Sequence, residues 1–202
     1  MTDEYFTAAI ALHLGLPVYG EHVCKCGSTV NVKGYHAFSC KRNNGKIAKH
    51  NVVNVIIGKA LASINMPNKL EPTETNSNNL RPDGITYSPW CRGKQLAWDF
   101  TCPHPLMSNN RSTDLGTKTA DHAESAKLRK YSSLCTNMIF SPVAITTFGA
   151  YGAHASKLLR EVGLKMRRAT GNCRAFAELR QQIAVAIQNG NGRQLLYSLN
   201  YA

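Results

Sequence analysis

Asp83 and Asp99 are the residues from which chemistry is read first. They stand in Arg81-Pro82-Asp83-Gly84 and Leu96-Ala97-Trp98-Asp99-Phe100-Thr101, with fifteen residues between them. Each carboxylate lies in an apolar stretch, where an ionised side chain is costly unless a cation sits on it. Two carboxylates brought together suit Mg2+ or Mn2+, hard cations that take oxygen ligands, Mg2+ keeping several of its own waters. Such a cation serves phosphodiester cleavage by neutralising developing charge and by making water more acidic. Taken singly, each residue has a plainer reading: Asp83 as half of an Asp-Gly turn, Asp99 as a salt-bridged strand end. Glu71, on the preceding strand, is a weaker third acid.

A cation is expected from a helix over residues 114–134. Ala120, Ala123, Lys127, Lys130, Tyr131 and Leu134 recur there at steps of three and four and so share a face. A lysine on that face, Lys127 or Lys130, would neutralise a scissile phosphate or orient water. The plain alternative is a lysine paired with Glu124 on a wet surface, and it weighs more for Lys130. His50 falls in register with Val53, Ile57 and Leu61 and so points inward. With Lys49 and Asn51 beside it, at a helix N-terminus suited to phosphate, it is a site candidate as well as a candidate core histidine.

Cys24-Lys25-Cys26-Gly27, with His36 and Cys40 downstream, offers four soft ligands in a region without hydrophobic periodicity. Zn2+ held by three thiolates and an imidazole would replace burial as the source of folding energy. The single residue between Cys24 and Cys26 is tighter than the common spacing, which leaves His22 as a substitute ligand. Reduced structural thiols are the alternative.

These groups need elements to position them. Helical spacing of apolar residues predicts helices over 5–14 and 46–64. β-rich runs over 69–71, 83–87 and 95–101 follow, the last two joined by a turn at Pro-Trp-Cys-Arg-Gly. After the lysine-bearing helix, capped at Ser112, Thr113 or Asp114, a β-rich run covers 138–147, where Pro142 marks an edge or bent strand. Amphipathic helices over 151–162 and 173–188 come next, and then a short one after Asn189-Gly190-Asn191-Gly192. The order α-β-β-β-α-β predicts a mixed α/β (α+β) fold, a mixed central sheet flanked by helices, with C-terminal helices appended. The expected divisions are an N-terminal helix (1–19), a zinc-knuckle-like segment (20–45), a core (46–148) and a helical extension (149–202).

Lys and Arg total 24 against 12 Asp and Glu, a formal net charge of +12 over 202 residues. That excess favours a polyanion, DNA or alternatively RNA, with Lys41, Arg42, Lys49 and Arg81 as candidate nucleic-acid contacts. A solvated basic surface is the bland alternative. The acidic start at Asp3 and Glu4, with His13 interrupting the apolar run, predicts no secretion signal and no membrane partner. Seven cysteines without such a signal point to a reducing compartment rather than a disulfide framework.

The cysteine cluster, the basic-His-Asn triplet Lys49-His50-Asn51, Pro82-Asp83, Asp99 and the run Ala123-Glu124-Ser125-Ala126-Lys127-Leu128-Arg129-Lys130-Tyr131 together resemble a known arrangement. It is the restriction-like endonuclease region of non-LTR retrotransposons, matched over residues 20–145. The resemblance implies a PD-(D/E)XK core, with Asp83 and Asp99 as metal ligands and Lys127 or Lys130 as the catalytic lysine. It puts His50 in the basic-His-Asn motif, and Cys24, Cys26, His36 and Cys40 in a CCHC zinc or nucleic-acid-binding cluster. Thr101 replaces the lysine that the superfamily carries two residues after the second acid, so the lysine must come from the helix, as in the retrotransposon branch. In that family the nuclease nicks target DNA and the freed 3′ hydroxyl primes reverse transcription. The implied setting is nuclear, with the reverse-transcriptase part of a larger polyprotein as a partner, and the chain is expected to be a fragment, an excised domain or a stand-alone relative. The competing expectation is a non-catalytic zinc-dependent DNA- or RNA-binding module derived from such a nuclease.

Overall fold

A computed structural model of the chain describes residues 1–73, 80–107, 116–197 and 199. The elements are α1 (Asp3–Leu14), β1 (His22–Val23), β2 (Thr29–Val30), α2 (Gly45–Ala62), β3 (Asn68–Leu70), β4 (Gly84–Cys91), β5 (Lys94–Thr101), α3 (Thr117–Lys130), β6 (Ile139–Ala144), α4 (Ala153–Thr170) and α5 (Ala175–Tyr197). The cap expected at Ser112, Thr113 or Asp114 lies outside the described residues.

Four strands form a mixed sheet in the order β3-β4-β5-β6, antiparallel up to β5 and parallel between β5 and β6. A parallel neighbour requires a crossover, and α3 lies within it. The segment from α2 to β6 therefore runs α-β-β-β-α-β, the order expected from the sequence. β6 is the sheet's edge, which accommodates Pro142 and its missing N–H donor.

Leu96 to Phe100 are all buried, so β5 needs cover on both faces. Alternation sends Leu96, Trp98 and Phe100 to one side, where they join Val53 and Ile57 of α2, Leu158 and Leu159 of α4, and Ile183 and Ile187 of α5 in the main core. The other side takes Ala97, which packs with Tyr131, Leu134 and Phe140. Asp99 shares the parity of Ala97 and faces that side. Helix α2 forms because its apolar residues recur at helical spacing, and its buried face includes Val53, Asn54, Ile57 and Leu61.

The hairpin turn is shorter than the five residues expected. β4 continues through Pro89, Trp90 and Cys91, and Arg92 and Gly93 alone make the turn, both with positive φ (50° and 72°). A two-residue turn of that hand matches strand twist, and the proline is absorbed by a register shift around Pro89.

The short final helix expected after residue 192 is instead the continuation of α5, which runs unbroken through Asn189-Gly190-Asn191-Gly192. Each helical glycine costs about 1 kcal/mol relative to alanine, and close approach offsets it here. A Cβ on Gly190 would enter the Lys49 stem, and one on Gly192 would enter the Tyr5 backbone. Asn191 is fully buried between them, accepting from Lys49 Nζ at 2.9 Å and donating to the Thr147 carbonyl at 2.8 Å. No described helix is long and apolar enough to cross a membrane.

Candidate functional site

Asp83 sits one residue before β4 and is fixed on all sides. Its N–H donates to the Trp98 carbonyl at 2.9 Å, and its own carbonyl accepts from the Glu71 N–H at 2.8 Å. Its side chain lies against the neighbouring strand, where Oδ2 accepts from the Phe100 N–H at 2.5 Å. Oδ1 meets His50 Nε2 at 3.0 Å, so the inward histidine of α2 is a partner of the first acid. Gly84 next to it is obligatory, because a Cβ there would enter the Trp98 ring.

Asp99 is 3 % exposed. A carboxylate so buried persists only if charge and hydrogen bonds replace water, and α3 supplies both. Lys127 Nζ lies 2.5 Å from Oδ1, and the Tyr131 hydroxyl donates to Oδ2 at 2.6 Å. The same hydroxyl lies 2.7 Å from the Arg81 carbonyl. Burial, reinforced by the Asp99 charge, pushes the Tyr131 phenol well above its ordinary range, so it stays a donor. The lysine contact is electrostatic, since Oδ1 accepts no aligned hydrogen bond. Lys130 does not reach Asp99; its ammonium lies 3.2 Å from the Tyr131 hydroxyl and 4.7 Å from that ring's centroid.

The remaining residues scatter around this pair. Glu71 is exposed and bonded to Arg81 Nη2 at 3.0 Å. Among the described residues it forms no three-ligand group with Asp83 and Asp99. Lys41 and Arg42 are exposed, and Arg42 donates to the Lys25 carbonyl. Lys49 is buried, and desolvation pulls its ammonium below the ordinary lysine range.

Among the described residues the assembled metal-ligand group of three or more side chains is the cysteine cluster, and Asp83 and Asp99 do not belong to it.

The cysteine cluster closes as a second centre. β1 and β2 pair around a tight turn in which Gly27 takes φ 86°. That turn brings Cys24 and Cys26 to one side despite the single residue between them. The 3-10 turn Tyr35–Phe38 delivers His36, and Cys40 follows. Cys24 Sγ is 3.6 Å from Cys40 Sγ, and Cys26 Sγ is 3.2 Å from His36 Nε2. All four ligand atoms lie within 4.8 Å of one another, so the cluster can hold zinc. Ser28 holds the Cys26 thiol down at about 6, a value that favours the ligating thiolate, while burial pushes Cys40 up. His22 is not part of the cluster; its Nδ1 lies 3.1 Å from the Gly20 carbonyl and its ring packs edge-on against Tyr19.

Two site-shaping residues escape the sequence reading. Tyr131 was visible only as a member of the helix face, although it sits one turn after Lys127 and points at the same buried acid. Glu124, the surface partner of Lys127 in the plain alternative, is 1 % exposed and caps α4, accepting from the His154 and Ala155 N–H groups at 2.8 Å. Nothing local signals that role, because its partners lie thirty residues on. A scan against protein-family models gives no match to this chain, and a search of curated proteins gives none.

Proposed function

We propose that this chain is a metal-dependent DNA endonuclease of the PD-(D/E)XK type, similar to the nucleases that nick target DNA for non-LTR retrotransposons. The observation that carries the reading is the Lys127 ammonium at Asp99 Oδ1. Thr101 occupies the place of the missing strand lysine, and a lysine arriving from α3 at the second acid is the substitution that reading requires. Element order around the pair and the net charge of +12 support it further.

In this reading Asp83 and Asp99 would hold the divalent cation, which when bound supplies charge neutralisation and a lowered pKa for water. Lys127, released from its contact with Asp99, neutralises the phosphate or orients the attacking water. Tyr131 keeps Asp99 aimed by donating to Oδ2, and the Phe100 N–H does the same for Asp83. His50 steadies Asp83 from α2. Exposed basic residues such as Lys41 and Arg42 position the backbone without reading sequence.

A second reading has an observation of its own. Lys127 and His50 already face both carboxylates, as they would in a zinc-dependent DNA- or RNA-binding module whose site has decayed. Cleavage and binding measured in parallel on Asp83→Ala separate the two. The nuclease loses cleavage and keeps binding; the decayed module shows no cleavage in the wild type.

A further inference from the structure

Beside the acid pair lies a small cleft of about 50 Å³ that the proposed mechanism does not use. Its walls come from the first turns of α2 and the end of β5, and they include Lys46, Lys49, His50, Phe100, Thr101 and Gln194. His50 and Phe100 are also the residues that hold Asp83, so the cleft opens next to the acid site.

Its chemistry is that of an anion site lacking its anion's partners. Lys49 is 4 % exposed, and among the described residues no carboxylate pairs with it. Its ammonium donates to the neutral Asn191 amide oxygen at 2.9 Å and has the Cys102 thiol as a further hydrogen-bond partner. A buried ammonium without a counter-charge costs several kcal/mol. Gln194 is 1 % exposed and its side-chain oxygen has no hydrogen-bond partner. An amide can turn to present its NH2 end instead, which would give the cleft a donor. Lys46 stands exposed at the mouth, and Thr101 borders the cleft at the end of β5.

We propose that this cleft is a phosphate subsite, which takes a phosphodiester group of the nucleic-acid strand beside the one cut at Asp83 and Asp99. The oxyanion sits between Lys46 and Lys49, with the Thr101 hydroxyl and the turned Gln194 amide as neutral donors. Thr101 then has a use of its own at the position where related nucleases carry lysine. The identity of the phosphate as a DNA phosphate rests on the nuclease reading above; the anion site itself does not.

The test uses the full chain and two probes. Inorganic phosphate is titrated against chloride at constant ionic strength, and the melting temperature is read. Phosphate raises it in the wild type, the rise is lost in Lys46→Met and Thr101→Val, and it persists in Asp99→Ala. DNA affinity is then measured without divalent metal across a salt series. Lys46→Met weakens it about tenfold and lowers the salt slope by about 1. Both variants change residues that are not in the buried core, so the result does not hinge on whether a Lys49 variant folds. Wild-type melting that is indifferent to phosphate, together with an unchanged DNA slope in Lys46→Met, overturns the proposal. A phosphate effect in the cleft with unchanged DNA binding overturns the DNA part and leaves free phosphate as the ligand. The expected losses in a chain that never nicks DNA uphold the subsite while the nuclease reading fails.

Discussion

The Lys127 ammonium, carried in on α3, stands 2.5 Å from Oδ1 of Asp99 on β5. Sheet parity and helix register have to agree for this to happen. Asp99 must fall on the face of β5 opposite Trp98 and Phe100, and Lys127 must lie one turn before Tyr131, which occupies the other oxygen. The pair makes a buried carboxylate tolerable and keeps a mobile cation at the point where the proposed reaction needs one.

Replacing Lys127 with Met therefore has two consequences that differ in size. Nicking falls about 100- to 1,000-fold, the range for loss of one charge-stabilising group, while DNA binding changes by less than about threefold, as expected of one rim contact. Stability drops by about 2 kcal/mol because Asp99 is left buried and uncompensated, a smaller loss than for a fully buried pair because Lys127 is 27 % exposed. Urea denaturation and plasmid nicking on the same preparation read both.

Tyr131→Phe removes only a hydroxyl. It deletes the donor to Asp99 Oδ2 and leaves the ring against Phe140. A hydrogen bond to a charged acceptor contributes about 1.5–3 kcal/mol, so the urea midpoint falls by that equivalent while the circular dichroism spectrum is unchanged. A midpoint identical to wild type contradicts the positioning role.

His104 sets an acid limit on stability. It is buried against Phe38 with Nδ1 2.7 Å from the Thr147 hydroxyl, and burial, then the Lys49 charge, pulls it down to about 4. The unfolded chain takes up that proton near pH 6.5, so between pH 6.5 and 4 the unfolded state binds more protons. Stability is complete above pH 6.5 and declines as the pH falls towards 4, by about 3 kcal/mol at most from this residue. Below pH 4 it contributes no further change. Urea midpoints of wild type and His104→Gln across pH 7.5 to 4.5 differ in slope, the variant being flatter; parallel slopes contradict the assignment.

Zinc removal acts on a different part of the chain. Residues 20–45 contribute a few buried apolar side chains, among them Val30, Ala37 and Phe38, so the four-ligand cluster is expected to supply much of their order. Protein purified without chelator should carry about one zinc per chain. Cys26→Ser and chelator treatment should both lower the melting temperature and expose this segment to proteolysis, with α2 to β6 still protected. Metal-free protein with unchanged proteolysis contradicts the centre.

Much of this was legible because the signals were local. Val53, Ile57 and Leu61 announced α2 by period, Pro142 announced an edge, and the inward register of His50 put it beside Asp83. The failures share one cause, tertiary contact overriding local chemistry. Gly190 and Gly192 read as a break because glycine is a poor helix former, yet α5 needs bare backbone where α1 and α2 cross it. Glu124 entered only as an alternative surface partner of the lysines, because its true partners lie at the start of α4. Lys49, read as a phosphate contact from its neighbours in the chain, is also buried under α5, which no local signal announces.

The most direct measurement is conversion of supercoiled plasmid to nicked circles by wild type and Asp99→Ala, with and without Mg2+, with DNA binding followed alongside. The expected result is Mg2+-dependent nicking by the wild type, absent in Asp99→Ala, with both proteins binding DNA to within about threefold. A wild type that binds DNA and leaves the plasmid supercoiled at every Mg2+ concentration contradicts the nuclease reading.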